Sequence, residues 1–352
     1  MNLGKILENI LNNNNIIGTI SSVLIVILIG FIFTKKKILS EVTAENLSKI
    51  ILFLAIPALS YNAFMQDMDS EKLNQSMSLL IWSIVIHLAL IFISSIIFKK
   101  YGKSKKDVLR MITIFGSTTV FGIPVIQAVY GDLGAMYASV FNLPYRALLY
   151  TYGYITISEV KLKKENIGKI ISNPVIVATF LGIGVWIFQK YLPQISINEN
   201  GIVRNYGILR IDKTAYWLFK PMQYLAALNA PLSWLSIGIT LAGVPLDETL
   251  KSKISWKYSI LKVGIIPIVL ISIFVGLKFI VGYGISYIAV ATIIIMMATP
   301  AATVIATYAI NFRKEPLLVS SCSLASSILA VLMIPAFIVL IEILKVMGIF
   351  IE

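Results

Sequence analysis

Apolar stretches of 18 or more residues recur from end to end of this 352-residue chain, each long enough to cross a hydrocarbon layer as a helix. Inside lipid every backbone amide and carbonyl needs a partner within the protein, so repeated spans of this kind build a helix bundle. Charged residues make up only 13% of the sequence, about half the share of a soluble domain. The fold class is therefore an all-α polytopic membrane protein.

Polar breaks divide the chain into ten predicted spans, at roughly 16–34, 46–66, 77–98, 108–131, 134–158, 168–189, 215–244, 258–280, 285–311 and 316–347. The first runs straight into Lys35, Lys36 and Lys37 without a small-residue cleavage site, so it reads as an uncleaved span. Connections after spans one, three, five, seven and nine, span ends included, contain 4, 6, 4, 3 and 2 Lys/Arg. The remaining connections and both termini carry nine. The positive-inside rule then makes the odd-numbered connections cytoplasmic and places both termini outside a plasma or inner membrane. The net charge of +13 belongs to loops facing anionic lipid, which removes the nucleic-acid interpretation.

Other classes fall away on single residues. One cysteine, Cys322, and one histidine, His87, exclude an intrachain disulfide and a Cys/His metal cluster. No GxxxxGK[ST] loop, HExxH motif or Ser/His/Asp arrangement appears, so neither an ATP-driven pump nor an enzyme is expected, and no cofactor.

The chain also repeats itself. "AIPALSYNAF" in span two matches "NAPLSWLSIG" in span seven, aligned on Pro57 and Pro231. "FGIPV" in span four matches "ATPAA" in span nine, aligned on Pro124 and Pro300. Five spans is an odd number, so the halves 1–158 and 159–352 would enter the membrane in opposite senses. Inverted repeats with a Gly/Pro-interrupted span at matching positions point to a secondary transporter.

The interrupted spans supply the candidate site. Pro124, helped by Gly116 and Gly122, is expected to break span four, and Thr299, Pro300 and Thr303 repeat that design in span nine. Half-helix N-termini meeting there would favour an anion. The hydroxyls of Ser117, Thr118 and Thr119 either line that site or bond back to their own backbone. Arg146, near the centre of span five, has no acidic mate at its depth. It either receives a substrate carboxylate, with Asn142 one turn earlier on the same face, or bonds freed carbonyls. Asn62 in span two is a further candidate. His87 is either a proton relay or a buried neutral histidine. Lys262 is expected to snorkel to the cytoplasmic surface. Acidic residues are nearly absent at membrane depth, which does not favour strong Na⁺ coupling. The polar segment 196–213 is expected to be external and to form a hairpin.

"TTVFGIPVIQAVYGD", a following span with "FNL", "LAALNAPLSWLSIGITLAG" and "MMATPAATVIATYAIN" together resemble the auxin efflux carrier family along essentially the whole chain. The most specific piece is V-x-G-I-P-x-x-x-x-x-Y-G, here Val120, Gly122, Ile123, Pro124, Tyr130 and Gly131. The resemblance implies ten helices in two inverted five-helix repeats, with broken helices four and nine crossing at prolines. It also implies a homodimer and elevator-like transport of organic anions such as malate, malonate or auxin-like acids. Plant members carry an asparagine facing the substrate carboxylate where this chain has Ser117, which counts against auxin itself. The expected function is a secondary active or facilitated carrier of small organic carboxylates by alternating access. The alternatives are a ligand-binding membrane sensor of transporter fold and a Na⁺-coupled organic anion symporter.

Overall fold

The computed structural model describes residues 14–159, 168, 172–199, 202–243 and 251–350; within them the chain is mostly helical, with one β-hairpin. Among the described residues, seven helices are long and apolar enough to cross a membrane: Ile17–Lys35, Val42–Asn62, Ser70–Ile97, Thr118–Ser158, Tyr216–Gly243, Lys253–Val281 and Pro316–Val346. Pro174–Phe188 and Tyr287–Met297 are shorter apolar helices.

In chain order the segments of the first half are α1 (Asn14–Lys35), α2 (Glu41–Ile50), α3 (Ile56–Asn62), α4 (Ser70–Ile97), α5 (Lys103–Ile114), α6 (Ile123–Leu148) and α7 (Tyr154–Ser158). Then come α8 (Pro174–Phe188), β1 (Gln194–Glu199), β2 (Ile202–Gly207), α9 (Ile211–Thr214), α10 (Tyr216–Ala227) and α11 (Asn229–Gly243). The last are α12 (Lys253–Ser259), α13 (Ile266–Val281), α14 (Tyr287–Met297), α15 (Thr303–Asn311) and α16 (Pro316–Val346).

Prolines shape several of these helices in one way. The π-helical runs Ile51–Ala55, Thr118–Gly122 and Ile260–Ile265 end just ahead of Pro57, Pro124 and Pro267. In each, the residue before the proline donates five residues back: Ile56 to Ile51, Ile123 to Thr118, Ile266 to Leu261. A proline ring clashes with the carbonyl four residues upstream, and one wider turn gives that carbonyl room. Pro124 therefore widens its helix instead of breaking it, contrary to the expectation from sequence. The break lies upstream, between the end of α5 at Ile114 and the π run at Thr118. A second discontinuity sits at Gly131, whose φ of 62° and ψ of −150° turn the chain inside an otherwise continuous helical stretch. Glycine alone adopts that conformation without strain.

The connections gather into two sets. Lys103 lies 3.1 Å from Glu159, and Lys314 reaches Asp107 and Glu159, each at 3.0 Å. So the segments preceding α5, following α7 and preceding α16 meet at one end of the bundle. At the other end of α4, Arg210 pairs with Asp67 at 3.0 Å and Asp212 at 2.8 Å, and donates to Gln189 at 2.6 Å. The expected hairpin is present there, with Gln194 paired to Gly207 and Glu199 to Ile202. The basic residues expected after span five, at positions 161, 163, 164 and 169, lie outside the described residues.

Between these ends, α1 and α11 pack with little between their backbones. A Cβ on Gly30 would stand 2.5 Å from the Leu235 carbonyl oxygen. In membranes helices associate through such small-residue contacts because lipid supplies no hydrophobic drive between them.

The end cluster has a pH signature. Lys314 and Lys103 hold the Glu159 carboxyl below its ordinary value of 4.5. A carboxyl depressed by folding adds stability that is present above its unfolded value and lost as pH falls through the folded one. Acidification through and below the ordinary glutamate range should therefore lower the thermal unfolding midpoint. Glu159→Gln should start lower at neutral pH and lose less on acidification, as read by tryptophan fluorescence melts across a pH series.

Candidate functional site

The two interrupted segments cross and are stitched together by backbone. Gly116 and Ala301 form an antiparallel bridge. The Ser117 amide donates to the Pro300 carbonyl at 2.7 Å, and the Ala302 amide donates to the Phe115 carbonyl at 3.1 Å. Pro300 is thus bonded across the crossing to Ser117, seven residues before Pro124.

Neighbouring side chains take up the remaining polar backbone. The Tyr145 hydroxyl donates to the Gly116 carbonyl at 2.5 Å, and the Tyr258 hydroxyl to the Ile112 carbonyl at 2.8 Å. The Thr299 hydroxyl donates to the Met296 carbonyl at 2.7 Å, ending α14, and the Ala301 amide donates to the Ser326 hydroxyl at 3.2 Å. Each bond satisfies a group that hydrocarbon would leave unpaired. The strands approach so closely that a Cβ on Gly116 would collide with the Thr299 hydroxyl.

A cavity of about 580 Å³ opens against this crossing. Ser117, Pro300 and Thr303 line it, beside Val120 and Phe121. One further wall is α2, with Glu45, Ser48 and Lys49; another is α11, with Ser236 and Thr240; a third is α16, with Ser323 and Ser327. Both the π run at Thr118 and α15 begin at the cavity, and the first amides of a helix have no intrahelical acceptor. Two helix N-termini therefore contribute about +1 elementary charge in sum. Several wall hydroxyls give their proton to their own helix: Thr307 to Thr303, Thr240 to Ser236 and Ser327 to Ser323. A hydroxyl committed in this way presents lone pairs. Donors for an anion are then the helix N-termini, the Ser117, Thr303 and Ser323 hydroxyls and the Lys49 ammonium.

The remaining sequence candidates sit elsewhere. Thr118 is buried beside the Tyr145 hydroxyl, and Thr119 is half-buried in the same turn. Gly122 faces α14, where a Cβ would stand 2.7 Å from the Met296 sulfur, and Pro124 is buried at the start of α6. Asn142 and Arg146 do not line the cavity. Both are buried on α6, neither the Asn142 amide nor the Arg146 Nη atoms find a hydrogen-bond partner, and Tyr145 and Tyr150 lie near the guanidinium. Asn62 ends α3, ten residues beyond the wall residue Leu52 in the π run, which is about 15 Å along a helix. His87 is sealed by the rings of Phe115, Phe141 and Tyr145, with Nδ1 2.6 Å from the Ser83 carbonyl and Nε2 unpartnered.

Lys262 departs furthest from expectation. It does not snorkel: the residue is fully buried, with its ammonium against Gly116. Lys253 and Lys257 already occupy the preceding two turns, which was the signal that Lys262 lies deeper. The contribution of Glu45, Ser48 and Lys49 had no such signal, because amphipathic polar residues at a span end read as an interface.

The sequence pattern of the family described as Membrane transport protein matches residues 15–338. The chain belongs to this family, the auxin efflux carriers. Its members are transporters, not enzymes. An uncharacterized transporter of Methanocaldococcus jannaschii is 22% identical over 243 residues, covering 66% of this chain and 70% of that protein. In this auxin efflux carrier family member, then, the crossing and its cavity lie among helices that are apolar enough to cross a membrane.

Overpacking the crossing should be measurable. Gly116→Ala should cost about 1–3 kcal/mol in reversible unfolding in mixed micelles, the range for forcing a methyl into a packed site. Thr299→Ala in the same protein should restore part of that loss, because it removes the hydroxyl in the way.

Proposed function

We propose that this protein carries small organic carboxylates across the membrane by alternating access, with the cavity at the crossing as its binding site. The observation that carries this reading is the cavity floor: two helix N-termini and Ser117, beside a wall that bears Lys49. A carboxylate matches the roughly unit positive charge of two helix N-termini, and the hydroxyl oxygens of the walls suit its hydroxyl or protonated acid groups.

In this reading the ten predicted spans form two inverted repeats, 1–158 and 159–352. The helical stretch Thr118–Ser158 counts as two of them, divided at Gly131. Support comes from the grouping of connections at two ends of the bundle. The cavity walls include α2, which follows Lys35, Lys36 and Lys37 after a short turn. With that end cytoplasmic, the site faces inward. Movement of the crossing past α2 and α11 would then expose it to the other side, as in other transporters with sites at broken helices. Arg146 and Asn142 form an unpartnered polar layer behind the crossing, joined to it through Tyr145. Arg146 would strengthen anion binding from there without touching the cavity.

Malonate, malate and indole-3-acetate uptake into proteoliposomes tests the reading. Uptake of at least one of the three above protein-free vesicles is expected. Ser117→Trp, which fills the floor, should abolish it. Arg146→Gln should reduce it about tenfold or more, the scale of one lost charge-assisted interaction. Calorimetric binding without any uptake would point instead to a sensor.

A further inference from the structure

The crossing poses an electrostatic problem that the anion site does not solve. Two helices begin there, but α5 and α14 also end there, at Ile114 and Met297. Each helix C-terminus carries about half a negative charge, so the two ends bring about −1 elementary charge to the buried side. In water this would be screened; at membrane depth it is not.

Lys262 answers that charge. Tyr258 on α12 donates its hydroxyl to the Ile112 carbonyl, in the last turn of α5. Four residues later, within the π run Ile260–Ile265, Lys262 continues the same approach. Its Nζ lies 3.3 Å from where a Cβ on Gly116 would stand, and the Thr299 carbonyl oxygen lies 3.2 Å from that same point. The residue is 0% exposed, and Nζ has no hydrogen-bond partner among the described residues. Among the described residues, His87 from α4 feels its charge, and Tyr145 from α6 and Tyr258 from its own helix bond the Gly116 and Ile112 carbonyls of the crossing; none of the three is an acid. An ammonium in this setting has only the helix ends and loose carbonyls as its counter-charge.

Transporters built on broken helices use this kind of place, unwound carbonyls and half-helix C-termini, to coordinate a coupling cation such as Na⁺. We propose that the Lys262 ammonium is a tethered cation in that position, so that the crossing is electrostatically complete without a bound metal ion and Lys262 is the residue that excludes Na⁺. It deepens the carrier reading by naming the cation requirement of the same crossing, and it rests on that reading only for its transport consequence.

The test needs no substrate. Thermal unfolding of the purified full-length protein is compared in sodium chloride and in choline chloride at equal concentration. The wild type and Lys262→Arg should melt alike in both salts. Lys262→Ser and the longer neutral Lys262→Gln should melt lower in choline and recover as Na⁺ is raised, because the vacated carbonyl site takes the free ion. A Na⁺-specific rise in the wild type overturns the proposal. So does a neutral variant that folds and melts identically in both salts. Two neutral variants of different length keep the comparison available when one fails to fold. Failure of carboxylate uptake in either salt counts against the carrier reading alone and leaves this measurement intact.

Discussion

Two backbone hydrogen bonds, Ser117 to Pro300 and Ala302 to Phe115, hold together the part of this protein on which the rest depends. A chain that leaves helical geometry inside a bilayer exposes amides and carbonyls, and each unpaired one costs several kcal/mol. Here each break repairs the other, since the extended residues of one segment pair with those of its partner. Tyr145, Tyr258, Thr299 and Ser326 then cover groups that the pairing leaves over. This arrangement makes a polar volume at membrane depth affordable, with helix N-termini on the cavity side and helix C-termini against Lys262.

Around that crossing the prolines work by widening helices. Pro57, Pro124 and Pro267 each follow a π run, and two of those runs shape the crossing. The one before Pro124 begins at the cavity floor; the one before Pro267 brings Lys262 to the crossing. A π turn shifts the face that later residues present, so a proline can redirect a side chain without interrupting a span. The extended break therefore falls where glycine and threonine meet instead, at Gly116 and Thr299.

Much of this was legible in the sequence, and unevenly so. The recurrent apolar runs declared a polytopic helical protein, and the matched Gly/Pro segments pointed to the crossing and to Ser117, Pro300 and Thr303 as residues of one place. Each of those signals is local: a run length, a helix breaker, a small polar residue where lipid tolerates none exposed. Arg146 drew attention by the same logic, and the structure confirms it as buried and unpartnered, yet puts it behind the cavity. Glu45, Ser48 and Lys49 passed unnoticed because a polar span end looks the same whether it faces headgroups or a cavity.

By itself the sequence determined that the chain lives in a membrane, that it does so as helices, and that two of its segments lose helical structure at depth. Hydrocarbon imposes those outcomes on any chain of this composition, through the cost of each unpaired backbone group. Only the tertiary structure decided that the two breaks pair with one another, that Lys262 turns inward and Arg146 away from the cavity, and that α2 and α11 close the site. Those are matters of which face of one helix meets which face of another. They depend on contacts between residues more than a hundred positions apart, such as Gly116 with Ala301 and with Lys262, which no local pattern encodes.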